Sequence, residues 1–145
     1  MPRLSLPELL DRSDVVVTGR VMDRSVSVDL SSDGRPRRIW TRTKIEVLSQ
    51  VKGNPGLEVS VLELGGTSGR YSMVVPGAAS LVPGEEVLLF LRCPEPACVV
   101  VGLAQGKYRL TTDPTNGRRV ARRDFADESP IDLDALVAEI RRHAK

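Results

Sequence analysis

The stretch Ile39-Trp-Thr-Arg-Thr-Lys-Ile-Glu-Val47 alternates between two kinds of side chain. Isoleucine, threonine and valine occupy the odd positions, whereas Trp40, Arg42, Lys44 and Glu46 occupy the even ones. Because successive side chains of a β-strand point to opposite faces of a sheet, this pattern has the period of a strand. It predicts a strand with one buried face and one mainly basic face turned to solvent.

Other strand-like runs lie on both sides of this stretch. They are rich in valine, leucine and isoleucine, and turn-forming residues separate them, at residues 15–21, 57–64, 71–75, 86–92, 98–103, 107–111 and 120–123. Such spacing predicts an all-β sheet or barrel of consecutive antiparallel hairpins, with five to seven strands. Gly19 interrupts the first run, where we expect a bulge or a bend at a barrel corner.

A helix is predicted near each end of the chain. Ser5 and Glu8 form a capping pattern for a short helix that ends at residues 13–14. Residues 131–144 carry apolar side chains at helical spacing, with acidic residues early and basic residues late. The sequence Asp-Glu-Ser-Pro at residues 127–130 is the expected entry to this second, amphipathic helix.

Length and composition fit one domain covering residues 1–145, with the barrel at about 14–111. A chain of 145 residues is long enough to bury about two thirds of its unfolded surface in one core. The formal net charge of +2 does not by itself indicate a nucleic-acid or membrane partner. No apolar run approaches the roughly 20 residues of a membrane helix, so membrane insertion is not expected.

The two cysteines, Cys93 and Cys98, flank a short proline-containing segment between two apolar runs. Residues that oppose each other across a hairpin turn can meet disulfide geometry, with Cα atoms roughly 4.4 to 6.8 Å apart. Free thiols are the alternative, and zinc is disfavoured because the only histidine is His143, in the final helix. A disulfide would indicate an oxidising compartment.

The sequence offers little for catalysis, so we do not expect an enzyme, a metal or a cofactor. No second histidine or paired base accompanies the serines. The glycine-rich residues 65–69 lack the lysine and helix of a phosphate loop, and the aspartates do not match a calcium loop. The basic clusters at residues 35–44, 118–123 and 141–145 are interpreted as solvated surface.

Trp40 with Arg38, Arg42 and Lys44 is the candidate ligand site. An aromatic side chain surrounded by positive charge is the arrangement by which small barrels hold single-stranded nucleic acid or sugars. The alternative interpretation is that Trp40 covers part of the core under a terminal helix.

Three segments resemble the netrin-like and tissue-inhibitor-of-metalloproteinases OB-fold superfamily. They are Ser13-Asp-Val-Val-Val-Thr-Gly-Arg-Val, Ile45-Glu-Val-Leu-Ser-Gln-Val-Lys-Gly and Pro83-Gly-Glu-Glu-Val-Leu-Leu-Phe-Leu. The resemblance covers residues 9–110 and extends to uncharacterised exported bacterial proteins with the same strand order. It implies an OB-like barrel, and it bears on fold more than on function.

The chain departs from that superfamily at the inhibitory residue. Those inhibitors chelate a protease zinc through an N-terminal cysteine and its amine, whereas this sequence begins Met1-Pro2-Arg3 and has no cysteine before Cys93. Inhibition by zinc chelation is therefore not expected. A protease-binding role would have to use other loops, such as residues 65–70.

The function expected from the sequence is that of a non-enzymatic binding module, periplasmic or secreted. It would engage a protein or an extracellular polymer through loops and the basic strand face, in an oligomeric state that the sequence leaves open. Two alternatives remain. One is a cytoplasmic OB-fold protein that binds single-stranded nucleic acid, and the other is an assembly subunit that docks through its C-terminal helix.

Overall fold

A computed structural model describes residues 3–94, 97–125 and 127–143. Two α-helices, α1 (Leu6–Arg12) and α2 (Leu133–His143), lie near the ends of the chain, and a short 3-10 helix covers Leu103–Gly106. The strands in the described ranges are β1 (Val15–Leu30), β2 (Pro36–Lys52), β3 (Glu58–Leu64), β4 (Gly66–Ser68), β5 (Tyr71–Met73), β6 (Glu86–Arg92), β7 (Val99–Val100), β8 (Lys107–Thr112), β9 (Arg119–Arg122) and β10 (Ile131–Asp132).

Most of the strands belong to one antiparallel sheet. Its order is β10-β9-β8-β6-β1-β2-β3, with β7 paired to β6, and β4 and β5 form a separate hairpin. The predicted antiparallel β protein with a helix near each end is confirmed. In the part of the chain that the structure describes, this sheet has eight strands, more than the five to seven expected, because β9 and β10 extend it beyond residue 111.

The sheet curls without closing into a barrel. β3 meets the chain just before β7 at one parallel bridge, between Val61 and Cys98. There the Leu62 amide donates to the Cys98 carbonyl, and the Cys98 amide donates to the Ser60 carbonyl, both at 2.8 Å. No ladder continues this contact within the described ranges, since β7 has only two residues. The predicted barrel is corrected to an open, curled sheet.

Bends in the long strands produce the curl. The register between β1 and β2 shifts between Thr18 and Gly19, and again between Val21 and Arg24. This confirms the irregularity predicted at Gly19. β2 passes so close to Gly19 that a Cβ atom built there would lie 2.5 Å from Ile45 Cγ2.

The central strand β6 is apolar between its charged ends, from Val87 to Leu91, because both of its faces are buried there. Val87, Leu89 and Leu91 pack with side chains of β1, β2 and β3 inside the curl. Leu88 and Phe90 belong to a second core on the opposite face, which both helices cover. Burial on two faces explains why this strand lacks the alternation seen in β2.

The helices pack on this second core through a few buried leucines and isoleucines. Leu9 and Leu10 of α1 and Leu136 and Ile140 of α2 are buried there. The helix cap predicted at Ser5 is present, as a capping box with Glu8. None of the described helices has the length and apolar character needed to cross a membrane.

The start of α2 differs from the prediction. The helix begins at Leu133, and the Asp132 carboxylate caps it by accepting a hydrogen bond from the Ala135 amide at 3.1 Å. Residues 127–130 do not lead directly into the helix, because β10 intervenes and pairs with β9. The predicted last helical residue, 144, lies outside the described ranges.

Cys93 and Cys98 form the predicted disulfide, with their sulfur atoms 2.07 Å apart. Their Cα atoms are 3.9 Å apart, closer than the range expected for the pair. The two residues at the centre of the connecting turn, 95–96, lie outside the described ranges. Because Cys98 also forms the bridge to β3, the disulfide ties the meeting point of the curl to the end of β6.

Reduction of this disulfide is expected to lower the free energy of unfolding by about 2 kcal/mol, from the entropy that a short covalent ring removes from the unfolded chain. Urea denaturation with and without dithiothreitol measures the difference. The double variant Cys93→Ser/Cys98→Ser is the control, and reductant should leave its curve unchanged. Coincident wild-type curves, with thiol reduction verified by mass, would contradict the expectation.

Candidate functional site

The structure brings the four residues of the candidate site to one face of β2. Arg38, Arg42 and Lys44 are exposed, and Trp40 is half-buried. On the opposite face Ile39, Thr43 and Ile45 are buried, as the alternation predicts. The site residues lie side by side because they are two residues apart on one strand.

Carboxylates lie beside part of the positive charge on this face. The Trp40 indole Nε1 donates to Asp29 Oδ2 at 3.0 Å, and Asp29 also lies opposite Arg38 in the β1–β2 ladder. Lys44 Nζ lies 3.9 Å from Glu58 Oε1 on β3. A polyanion that stacks on Trp40 would approach the Asp29 carboxylate, which opposes binding. Trp40 and its basic neighbours therefore attract a polyanion less strongly than the sequence indicates.

Trp40 forms one wall of an apolar groove of about 170 Å³. The groove opens where β3 and β7 separate beyond the Val61–Cys98 bridge. The other apolar lining residues come from β3, from β7, from the segment between β5 and β6, and from the 3-10 helix: Leu62, Leu64, Val75, Ala78, Ala79, Val99, Val100 and Leu103. Among the described residues, Glu63 of β3 is the one charged residue of the lining. Trp40 thus borders this groove and does not lie under a terminal helix.

Leu103 is the most unusual residue of the groove. Its φ of 60° places it in the left-handed region, where no other non-glycine residue of the described chain lies. Its side chain is 40% exposed although it is large and apolar. A left-handed conformation costs an L-residue about 1–2 kcal/mol, and such strain is concentrated at functional sites.

Sequence reasoning missed most of the groove. One signal was present, because both the inward residue Val61 and the outward residues Leu62 and Leu64 of β3 are apolar. Apolar side chains on both faces indicate that a strand is covered, or binds something, on each side. No local pattern marks the conformation of Leu103. The segment 65–70, named as an alternative binding loop, contains β4, which folds over Ile39 and Thr41.

Within the described ranges, no group of three or more histidine, cysteine, aspartate or glutamate side chains is arranged to hold a metal ion. His143 lies on the exposed end of α2, where its Nε2 is 3.1 Å from Glu139 Oε1. No family model matches the chain, and no curated protein is significantly similar to it. The function is therefore inferred from the arrangement of the residues in this site.

Proposed function

We propose that the protein is a non-enzymatic binding module that receives an extended, apolar segment of a partner protein in the groove beside Trp40. The observation that carries the proposal is Leu103, a half-exposed leucine held in a left-handed conformation within that groove. A strained, 40% exposed leucine favours a role in binding, because its apolar surface can serve as an anchor for a partner.

An extended peptide fits this place because the edge of β3 is open there. At Ser60 and Leu62 the edge already exchanges backbone hydrogen bonds with Cys98, and beyond Leu62 the neighbouring strand moves away. A strand added at such an edge forms backbone hydrogen bonds, and its alternate side chains enter adjoining pockets. The apolar lining favours leucine, valine or isoleucine at those positions.

An exported location is part of the proposal. The Cys93–Cys98 disulfide is consistent with an oxidising compartment, which favours the periplasm or the outside of the cell. In the curl, β3, β2 and β1 are followed by β6 and β7, and Cys98, just before β7, bridges back to β3. This order supports the resemblance to the partly open OB barrel. Docking through α2 has less support, since Leu136 and Ile140 are buried in the chain's own core.

The variant Leu103→Gly tests whether the left-handed conformation of Leu103 is strained. We expect its free energy of unfolding to stay within about 1 kcal/mol of the wild type, because relief of strain offsets the loss of a partly buried leucine. Leu103→Ala loses most of the side chain but keeps the left-handed penalty, so it should be less stable than Leu103→Gly. Urea denaturation measures both, and the reverse order of stability would contradict the strain at Leu103.

The same variant tests binding. Peptides selected from a displayed random library on the wild-type protein should shift the emission of Trp40, the only tryptophan. They should bind Leu103→Gly at least about tenfold more weakly, and bind Leu57→Gly normally, because Leu57 is exposed and outside the groove. Peptides indifferent to Leu103 would contradict the proposal. A response of Trp40 to oligonucleotides or acidic glycans instead would favour the nucleic-acid or polymer alternative.

A further inference from the structure

A second cavity, of about 320 Å³, lies behind the groove under the β4–β5 hairpin. Glu63 and Leu64 of β3 line both spaces, as do residues 75 and 78–79 of the segment between β5 and β6, so one partner can reach both. Arg24 of β1, Thr41 of β2 and Glu63 of β3 contribute polar groups to the cavity. Val74 and Val75 contribute apolar side chains.

Glu63 is a half-buried carboxylate in the wall of this cavity. The other partly buried carboxylates in the described ranges have partners, as in the ion pairs of Glu85 with Lys107 and of Glu128 with Arg123. No hydrogen bond or ion pair within 4 Å joins Glu63 to a described residue. Nearby, the hydroxyl of Thr43 on β2 is fully buried and also has no hydrogen-bond partner. This wall of the curl therefore contains hydrogen-bonding groups that no described residue satisfies.

The positive charges near Glu63 are paired elsewhere or screened by solvent, so a further cation can bind beside it. Burial raises the pKa of Glu63 to about 7, against the opposing effect of Lys107 and Arg24. Lys107, from β8, is already neutralised by Glu85 at 2.8 Å and also donates to the Ser80 carbonyl. Arg24 is exposed, so solvent screens its charge.

We propose that this cavity binds the ammonium group of a lysine side chain, with the Glu63 carboxylate as its counter-ion. A lysine fits both parts of the cavity: its methylene stem packs along valine side chains at the rim while its three N–H groups meet oxygen acceptors inside. The inference rests on the proposed function only for the source of the lysine, which is the partner protein.

Titration of the ¹⁵N-labelled protein with Nα-acetyl-lysine methylamide tests the proposal without any partner. We expect the amide signals of residues around the cavity to shift, and the norleucine counterpart, which lacks the ammonium, to leave them in place. Glu63→Gln should weaken binding at least about tenfold, whereas Glu58→Gln, on the same strand but exposed and outside the cavity, should not. Equal binding by Glu63→Gln and the wild type would overturn the proposal.

The effect of Arg24→Gln and the dependence on pH distinguish a cationic from an anionic ligand. Arg24→Gln removes a repelling charge and should tighten lysine binding severalfold, whereas it would weaken an anion. Binding needs ionised Glu63, so affinity should fall about tenfold from pH 8 to pH 6, given a pKa of about 7. Weaker binding in Arg24→Gln, or no dependence on pH, would overturn the proposal. Glu63 lines both spaces, whereas Leu103 lines only the groove. Leu103→Gly should therefore bind the probe normally even where it loses the partner peptide, which distinguishes this test from that of the groove.

Discussion

Replacing Arg123 with leucine is expected to lower the free energy of unfolding by about 3–5 kcal/mol. The guanidinium is 7% exposed and donates to both carboxylate oxygens of Glu128, at 2.9 and 2.6 Å. Its Nη1 also donates to the carbonyls of Leu4 and Gln105, at 3.1 and 3.3 Å. Leucine fills much of the space but removes all four of these hydrogen bonds, and among the described residues it leaves Glu128 with only the longer ion pair to Arg3, at 3.6 Å. Buried polar groups that lose a charged donor carry a desolvation penalty.

The neighbouring residue provides the control for this prediction. Arg122 is exposed and forms no ion pair with any described residue, so Arg122→Leu should change stability by no more than about 0.5 kcal/mol. Urea denaturation of the two variants, with Arg123→Lys as a third, makes the comparison. Lysine keeps the charge but cannot form the paired contact with Glu128, so an intermediate loss is expected. Equal effects of leucine at positions 122 and 123 would contradict the role of Arg123.

This pair of arginines illustrates what the sequence cannot distinguish. The cluster at residues 118–123 was interpreted as solvated surface, which holds for the exposed residues Arg118 and Arg122. Arg119 is instead half-buried and paired with Glu86, and Arg123 is buried. The partners lie 5 to 33 residues away along the chain, and the strand order brings them together. Local composition carries no information on such pairings.

Features that depend on local periodicity were predictable. The alternation in β2, the irregularity at Gly19 and the helix cap at Ser5 all involve residues close together in sequence, and all are confirmed. The open side of the curl was not predictable, because it depends on where β3 meets Cys98, 37 residues after Val61. The alternation placed Trp40 on the correct face of β2. Because the groove also depends on distant strands, the sequence could not indicate it, nor could it indicate that Glu63 lacks an ion pair with any described residue.

Replacing Gly19 with alanine is expected to cost about 2–3 kcal/mol of stability and to loosen the meeting point of the curl. The added Cβ would lie 2.5 Å from Ile45 Cγ2 and 2.7 Å from the Glu46 carbonyl oxygen. Ile45 is fully buried and the carbonyl belongs to the backbone of β2, so neither can move aside freely. β1 and β2 must then separate at the bend where the curl begins.

The loosening should be visible far from the substitution. If the bend at Gly19 brings β3 across to Cys98, then Gly19→Ala should speed hydrogen exchange of the Leu62 and Cys98 amides, which bond across that bridge. Ser25→Ala, an exposed substitution on the same strand, should leave stability within about 0.5 kcal/mol and the two amides protected. Faster exchange confined to the neighbours of Gly19 would mean that the closure at Cys98 is held by the disulfide alone. In that case the width of the groove depends on the redox state of Cys93 and Cys98, and not on the bend in β1.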